Sequence, residues 1–273
     1  MPTLQQALAQ AVAAREPRIS AEVMLARVLG RERSYLYAHP EAELTADQSL
    51  QWRAWLERRA AGEPLQHIVG EQEFYGRLFT VGPDALIPRP ETELVVQAAL
   101  DLLPGDQTVR IADVGTGSGC IAITLALERP RARVIATDIS PAALTLAGAN
   151  AKALGANVEF SETDLLAGIA GPLDLVVSNP PYLAESELPE LAREVRDHEP
   201  HLALVAGPAG DEIYRRLIPA ARERLRPGGW LILELGYASA LSVRALFHSS
   251  DWQQVEIHRD LQGWNRVLQA QAR

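Results

Sequence analysis

Ile111-Ala112-Asp113-Val114-Gly115-Thr116-Gly117-Ser118-Gly119-Cys120 decides the fold of this chain. An apolar run carrying one acid ends in three glycines at alternate positions and then opens a helix. Glycine takes positive φ at little cost and lets a ligand approach the backbone closely. Further on, Val134-Ile135-Ala136-Thr137-Asp138 is a second strand ending in an acid, the residue type that holds ribose hydroxyls in nucleotide-binding α/β folds. Together the two stretches predict an adenosine-containing ligand in the crevice at the carboxyl ends of the strands. Gly115, Thr116, Gly117, Ser118 and Gly119 form its loop, and Asp138 meets its ribose.

Glycine spacing selects among such ligands. A dinucleotide fingerprint reads G-x-G-x-x-G and sets a pyrophosphate on the helix N-terminus. Here the third glycine, Gly119, comes one residue early, and Cys120 stands where that fingerprint wants glycine. Asp113 is read as a further carboxylate in the pocket, where it repels a pyrophosphate and suits a cation. S-adenosylmethionine carries a sulfonium and an ammonium, so it fits this pattern better than a nicotinamide cofactor does. Asp164 and Leu165 follow the third strand and are expected beside the adenine ring, Asp164 accepting from its amino group and Leu165 covering a face. Asp164 reads equally well as a helix cap.

Asn179-Pro180-Pro181-Tyr182 comes directly after the apolar run Leu173-Asp174-Leu175-Val176-Val177-Ser178. Two successive prolines fix φ near −65°, remove two backbone donors and push each preceding residue out of the helical region. A planar NH2 group offers two donors in its own plane, and the Asn179 side-chain oxygen with the Pro180 carbonyl can accept one each. Tyr182 then covers the flat face. This is a grip for an amino group and, read by itself, also a surface turn that ends a strand.

Around these motifs strand and helix patterns alternate, with strands expected at 109–113, 134–138, 158–161, 173–178, 230–235, 255–258 and 266–268. Such alternation implies a mostly parallel sheet covered by helices. Residues 1–63 read as a small all-helical domain: Leu4, Leu8, Ala11 and Val12 lie at helical spacing, Ser20 and Gly30 frame a second helix, and Thr45 with Gln48 opens a third that Gly62 stops. Trp52 and Trp55 are assigned to its core. Residues 64–90 read as a β-hairpin linker built from Gln66-His67-Ile68-Val69, Glu73-Phe74-Tyr75 and Leu78-Phe79-Thr80-Val81, and residues 91–273 as the nucleotide-binding domain. Glu91 and Glu93 suit the positive end of the helix that follows.

Bulk composition sets limits. The chain has 273 residues, 47% of them hydrophobic, enough for a sizeable core. A formal net charge of −9 argues against a protein that lives on nucleic-acid phosphates. Cys120 is the only cysteine, so neither an intrachain disulfide nor a cysteine metal cluster can form. The N-terminal stretch lacks a basic region ahead of its alanines and is read as a helix of the mature protein. A cytoplasmic monomer is expected, with no membrane span and no stable nucleic-acid partner.

Taken together, these residues resemble the HemK/PrmC family, the release-factor glutamine N5-methyltransferases. The resemblance covers the helical domain, Leu86-Ile87-Pro88-Arg89-Pro90-Glu91-Thr92-Glu93-Leu94, Asp113 to Gly119, Asp138 and Asn179-Pro180-Pro181-Tyr182. It continues through Glu199-Pro200-His201-Leu202-Ala203-Leu204, Leu225-Arg226-Pro227-Gly228-Gly229-Trp230 and Arg266-Val267. It implies a class I, Rossmann-like methyltransferase domain with a seven-stranded sheet. It also implies methyl transfer from S-adenosylmethionine to the glutamine amide of the Gly-Gly-Gln motif in class 1 peptide release factors, which the helical domain helps to dock. Asn179, Pro180, Pro181 and Tyr182 are then catalytic and substrate-binding, Arg89 and Glu91 lie on the substrate side, and no metal is required. Ser239 and Asn265 depart from the family's usual Gln and Asp. Asn-Pro-Pro-Tyr is shared with enzymes that methylate amino groups of adenine and guanine, so a base in DNA or RNA stays open as substrate, as does a non-catalytic scaffold that binds the methyl donor.

Overall fold

The computed structural model describes residues 1–103, 105 and 107–273. They form two units, Met1–Glu71 with Ala192–His198, and Gln72–Leu191 with Glu199–Arg273. In the first unit, Thr3 and Thr45 start helices in the same way. Each hydroxyl accepts from the backbone N–H three residues on (Gln6, Gln48) at 3.2 Å, and each of those glutamines returns a side-chain oxygen to the threonine N–H at 2.9 Å. These capping boxes open α1 (Leu4–Ala13) and α4 (Ala46–Ala60).

The helix α2 (Arg18–Leu29) begins after Pro17, so Ser20 lies inside it and not at its cap; it ends at Gly30 in the left-handed region, φ 62°. Two short helices escaped the sequence reading, α3 (Arg33–Ala38) and α5 (Leu65–Val69). The latter corrects the strand expected at Gln66-His67-Ile68-Val69. Pro64 pre-sets the first turn, Gly70 at φ 82° ends it, and Ile68 is buried with Leu4, Leu25, Leu44 and Trp52. Tertiary burial outweighs the β propensity of Ile and Val. The helical unit accordingly runs on to Glu71, past the boundary expected at 63. Within it, the buried Glu22 carboxylate accepts from Arg18 (2.9 Å), Arg33 (2.7 Å) and the Tyr37 hydroxyl (2.6 Å).

The expected hairpin is present as β1 (Glu71–Phe74) and β2 (Arg77–Thr80). Its turn, Tyr75-Gly76, has φ of 50° and 71° at the two central positions, the left-handed pair that suits a two-residue hairpin.

Seven strands build the main sheet: β3 (Arg110–Val114), β4 (Arg133–Asp138), β5 (Val158–Glu162), β6 (Leu173–Ser178), β9 (Leu225–Glu234), β10 (Trp252–Arg259) and β11 (Asn265–Ala272), with β7 (Leu183–Ala184) and β8 (Val205–Gly207) pairing apart from it. All seven expected strands are found, most of them longer than the sequence pattern marked. Spatial order is β10-β11-β9-β6-β3-β4-β5, with β5, β4, β3, β6 and β9 parallel and β11 antiparallel to both β9 and β10. Residues of one strand alternate between two cores. Ile111, Leu175 and Val177 pack with α6 (Glu93–Leu102) and α7 (Cys120–Glu128), while Ala112, Val114 and Val176 pack with α11 (Glu212–Arg224). A sheet buried on both faces is apolar at consecutive positions, which is why these strands read as unbroken runs. Between β3 and β6 the chain direction across the sheet reverses, and the crevice at such a switch point is where α/β folds bind ligands.

Candidate active site

At the carboxyl end of β3 the glycine loop leaves the sheet with Gly115, Gly117 and Gly119 at φ 71°, 56° and 83°. Side-chain-bearing residues rarely hold these values. The N–H groups of Gly115 and Thr116 donate to the Thr137 carbonyl at 2.8 and 2.9 Å, and that of Gly117 donates to Asp138 at 2.9 Å. The second Asp138 oxygen accepts from Ser140 N–H at 2.9 Å, ahead of α8 (Pro141–Leu154). Gly119 serves packing: a Cβ there would stand 2.8 Å from Ile123 Cδ1 and 3.1 Å from Ala147 Cβ.

Asp113 corrects the sequence reading. Its carboxylate is fully buried beneath the loop and not in the cleft, accepting from the Thr116 hydroxyl at 2.6 Å and Ala122 N–H at 3.1 Å. Among the described residues Oδ1 has no partner, and burial pushes the carboxyl up to about 7. Asp113 braces the loop from below; a sequence shows a charge but not whether water reaches it.

The Asn179-Pro180-Pro181-Tyr182 loop leaves β6 beside this turn. Asn179, Pro180 and Pro181 line the same cleft as Gly115, Thr116, Gly117, Ser118 and Asp138. Asn179 Nδ2 donates to the Thr92 hydroxyl at 3.1 Å, and that hydroxyl donates to Glu234 Oε2 at 2.6 Å. Tyr182 is not part of the lining. Its ring packs on the core and against Gly236, where an added Cβ would come within 2.9 Å of it, and burial pushes its hydroxyl up to about 12. Gly119 and Glu91 likewise lie outside the lining.

Arg89 does line the cleft, held by the buried Glu199 carboxylate, whose other oxygen accepts from Ile87 N–H at 3.2 Å. Asp164 and Leu165 line the cleft as well. The Asp164 carboxylate is ion-paired with Arg216 of α11, a partner that sequence did not reveal; Leu165 takes φ 53°, and its carbonyl accepts from Thr137 Oγ1 at 2.9 Å. Thr92, Glu199, Arg216 and Glu234 are the site residues that motif reading missed. Thr92 and Glu199 do stand in stretches that carry the family resemblance. Of the two departures, Ser239 closes the turn on the Gly236 carbonyl at 3.0 Å, and Asn265 pairs with Arg259 at the sheet margin.

The cleft is one a methyl donor fits. Among the described residues nothing lies within 4 Å of the Cβ position at Gly115, so the loop surface is open. Ile139, Leu165 and Pro181 supply an apolar wall. Arg89 and Arg216 are neutralised by Glu199 and Asp164, while among the described residues Asp84 and Asp138 have no cationic partner, so the unbalanced charge of the cleft is negative.

A seven-stranded sheet of this order, with a glycine loop after its first strand, an acid ending its second and Asn-Pro-Pro-Tyr across the switch point, is the fold of the class I methyltransferases. Residues 92–198 match the methyltransferase small domain, and residues 3–70 match the PrmC N-terminal domain. The fold is shared with a crystal structure of a methyltransferase from Pyrococcus furiosus, at a TM-score of 0.54 and 16% identity over 83% of this chain and 98% of that one. The release factor glutamine methyltransferase of Koribacter versatilis (strain Ellin345) is 48% identical over 254 residues, 92% of this chain and 90% of that protein. That of Chlorobaculum tepidum is 46% identical over 269 residues, 94% and 91% of the two chains. The chain belongs to the release factor glutamine methyltransferase family.

Proposed function

We propose that this chain methylates the side-chain amide nitrogen of a glutamine in a peptide chain release factor, the Gly-Gly-Gln glutamine of class 1 factors, with S-adenosylmethionine as donor. The observation that carries this reading is the placement of Asn179 and Pro180 in one cleft with the glycine loop and Asp138. When bound, the donor supplies a methyl group activated by a sulfonium. Asp138 holds the ribose, and Leu165 covers the adenine.

An amide nitrogen is a weak nucleophile because its lone pair is delocalised into the carbonyl, so the protein acts by position and charge. Asn179 Oδ1 and the Pro180 carbonyl accept the two N–H bonds of the substrate amide, holding its nitrogen in line with the methyl carbon. Both acceptors stabilise the positive charge that grows on nitrogen. The bound donor would give its methyl to this nitrogen and keep the electron pair of the broken sulfur–carbon bond on sulfur, and the methylated nitrogen would release its proton to water. Pro181 and the partly buried ring of Tyr182 stiffen the loop. Arg89 and Glu91 face the substrate, and the helical unit takes part in docking it, in the cytoplasm where release factors act.

Mass spectrometry of a release factor incubated with this protein and the donor tests the reading. One added methyl on the Gly-Gly-Gln glutamine is expected, and turnover lowered by about 10² or more in Asn179→Ala. Labelled methyl appearing in RNA or DNA and not in the release factor would assign the chemistry to bases instead.

A further inference from the structure

The half-buried Asn179 ends a chain of hydrogen bonds whose direction matters. Its Nδ2 donates to Thr92 Oγ1, which donates to Glu234 Oε2; Thr92 and Glu234 are 2% and 1% exposed. A hydroxyl has a single hydrogen, and with that hydrogen on the carboxylate Thr92 can only accept from Asn179. The Asn179 nitrogen therefore faces Thr92, and its oxygen is left for the cleft that the residue lines.

Reversing the chain reverses the amide. A protonated Glu234 has a hydrogen to donate to Thr92; when it does, Thr92 passes its own hydrogen on and Asn179 turns its oxygen inward to receive it. Nδ2 then points into the cleft, a donor set against the two donors of a substrate NH2 group. We propose that Glu234, acting through Thr92, is the positioning residue that fixes which edge of the Asn179 amide the substrate meets, and that methyl transfer requires Glu234 ionised. This rests on the reading of Asn179 as acceptor for the substrate amide.

The surroundings set where the reversal falls. Glu234 closes β9 opposite Val267 of β11, with Arg266 of β11 and Arg89 favouring its charge and Glu91 opposing it. Tyr182, Tyr214 of α11 and Cys120 of α7 also face it; the Tyr214 hydroxyl donates to the Glu234 backbone carbonyl at 2.7 Å, leaving the carboxylate to Thr92. Burial outweighs the arginines and pushes the carboxyl up to about 7. The acceptor edge of Asn179 is thus set by a group that changes charge close to neutrality.

The test is kcat for methyl transfer to an intact release factor between pH 5.5 and 8.5, for the wild type and for E234Q, T92V, T92S and N179A. Donor affinity by calorimetry and the melting temperature serve as controls. The wild type is expected to lose about tenfold per pH unit on an acid limb centred near neutrality. E234Q and T92V are expected to fall tenfold or more on the plateau and to lose the limb, with donor affinity within about threefold. T92S, which keeps the hydroxyl, retains both the limb and most of the rate. Should E234Q not fold, the T92V and T92S profiles decide. Wild-type rates and an unchanged limb in E234Q and T92V, beside an inactive N179A, would overturn the relay and leave the role of Asn179 standing. Full activity in N179A would instead remove the reading on which the relay rests.

Discussion

The backbone N–H of Gly117 donates to Oδ2 of Asp138 over 2.9 Å, so one carboxylate joins the glycine loop to the end of β4. Ser140 N–H takes the other oxygen. A carboxylate has about four acceptor sites, which leaves room for ribose hydroxyls after both backbone bonds are made. Asp138→Ala removes that acceptor and loosens the loop together. Donor binding is expected to weaken by about 1.5–3 kcal/mol, the range for hydrogen bonds to a charged group. Calorimetry giving the wild-type affinity would reject the ribose role of Asp138.

Gly119 is fixed by two independent constraints. Its φ of 83° suits glycine, and an added Cβ would lie 2.8 Å from Ile123 Cδ1 and 3.1 Å from Ala147 Cβ, with the Ala147 backbone at 3.4 Å. The Ile123 tip can turn away; the α8 backbone cannot without moving the wall of the cleft. Gly119→Ala is expected to cost about 1–3 kcal/mol from strain and overpacking, read as a lower urea midpoint. Gly115→Ala meets open space and carries only the strain at φ 71°, so it should be the milder of the two. Equal losses would show that packing at Gly119 contributes nothing.

Both of these glycines stand in the stretch from which the fold was read, and the contrast with other residues shows what sequence can carry. The central strands β3, β4, β6 and β9 are buried on both faces and announce themselves as apolar runs, whereas the half-exposed edge strands β5 and β10 were legible from shorter apolar–polar alternation. Helix α5 was not, because one turn of Leu65–Val69 is too short for a period and its Ile and Val favour strands. In the site, the glycine loop, Asp138 and Asn179 are local motifs and could be read. Thr92 and Glu234 are 142 residues apart, and only the sheet brings them to a hydrogen bond. Asp113 shows the complementary failure: its charge was visible, but its burial was not.

Arg89 owes its position to Glu199, a buried carboxylate that also accepts from Ile87 N–H at 3.2 Å. The pair pins the Pro88-Arg89-Pro90 segment at the cleft while leaving the Arg89 side chain about one-third exposed. If that exposed face meets the release factor, Glu199→Gln releases it without touching the glycine loop. KM for the release factor is expected to rise several-fold while donor affinity stays within about twofold, a loss of uniform substrate binding. A change confined to donor affinity would move Arg89 from the substrate side to the donor side of the cleft.

Two buried acids titrate with opposite consequences for folding. In the helical unit, the hydrogen bond from Tyr37 and those from Arg18 and Arg33 lower the Glu22 carboxyl to about 2 from an ordinary 4.5. The folded state therefore binds its proton less readily than the unfolded chain, and the stabilisation is complete above about 4.5 and lost as pH falls toward 2. Asp113 behaves in the opposite sense. Burial raises it from 3.8 to about 7, so the folded state holds a proton that the unfolded chain releases, and its stabilising effect is complete below about 4 and declines as pH rises to 7. Urea midpoints measured from pH 3 to 8 should separate the two. Glu22→Gln is expected to flatten the acid side of the profile, and Asp113→Asn to reduce the slope between 4 and 7 to the share that Glu234, raised by burial from 4.5 to about 7, contributes. A Glu22→Gln profile that runs parallel to the wild type at every pH would mean that Glu22 titrates alike in the folded and unfolded chains, and that the Tyr37, Arg18 and Arg33 contacts do not favour its charge.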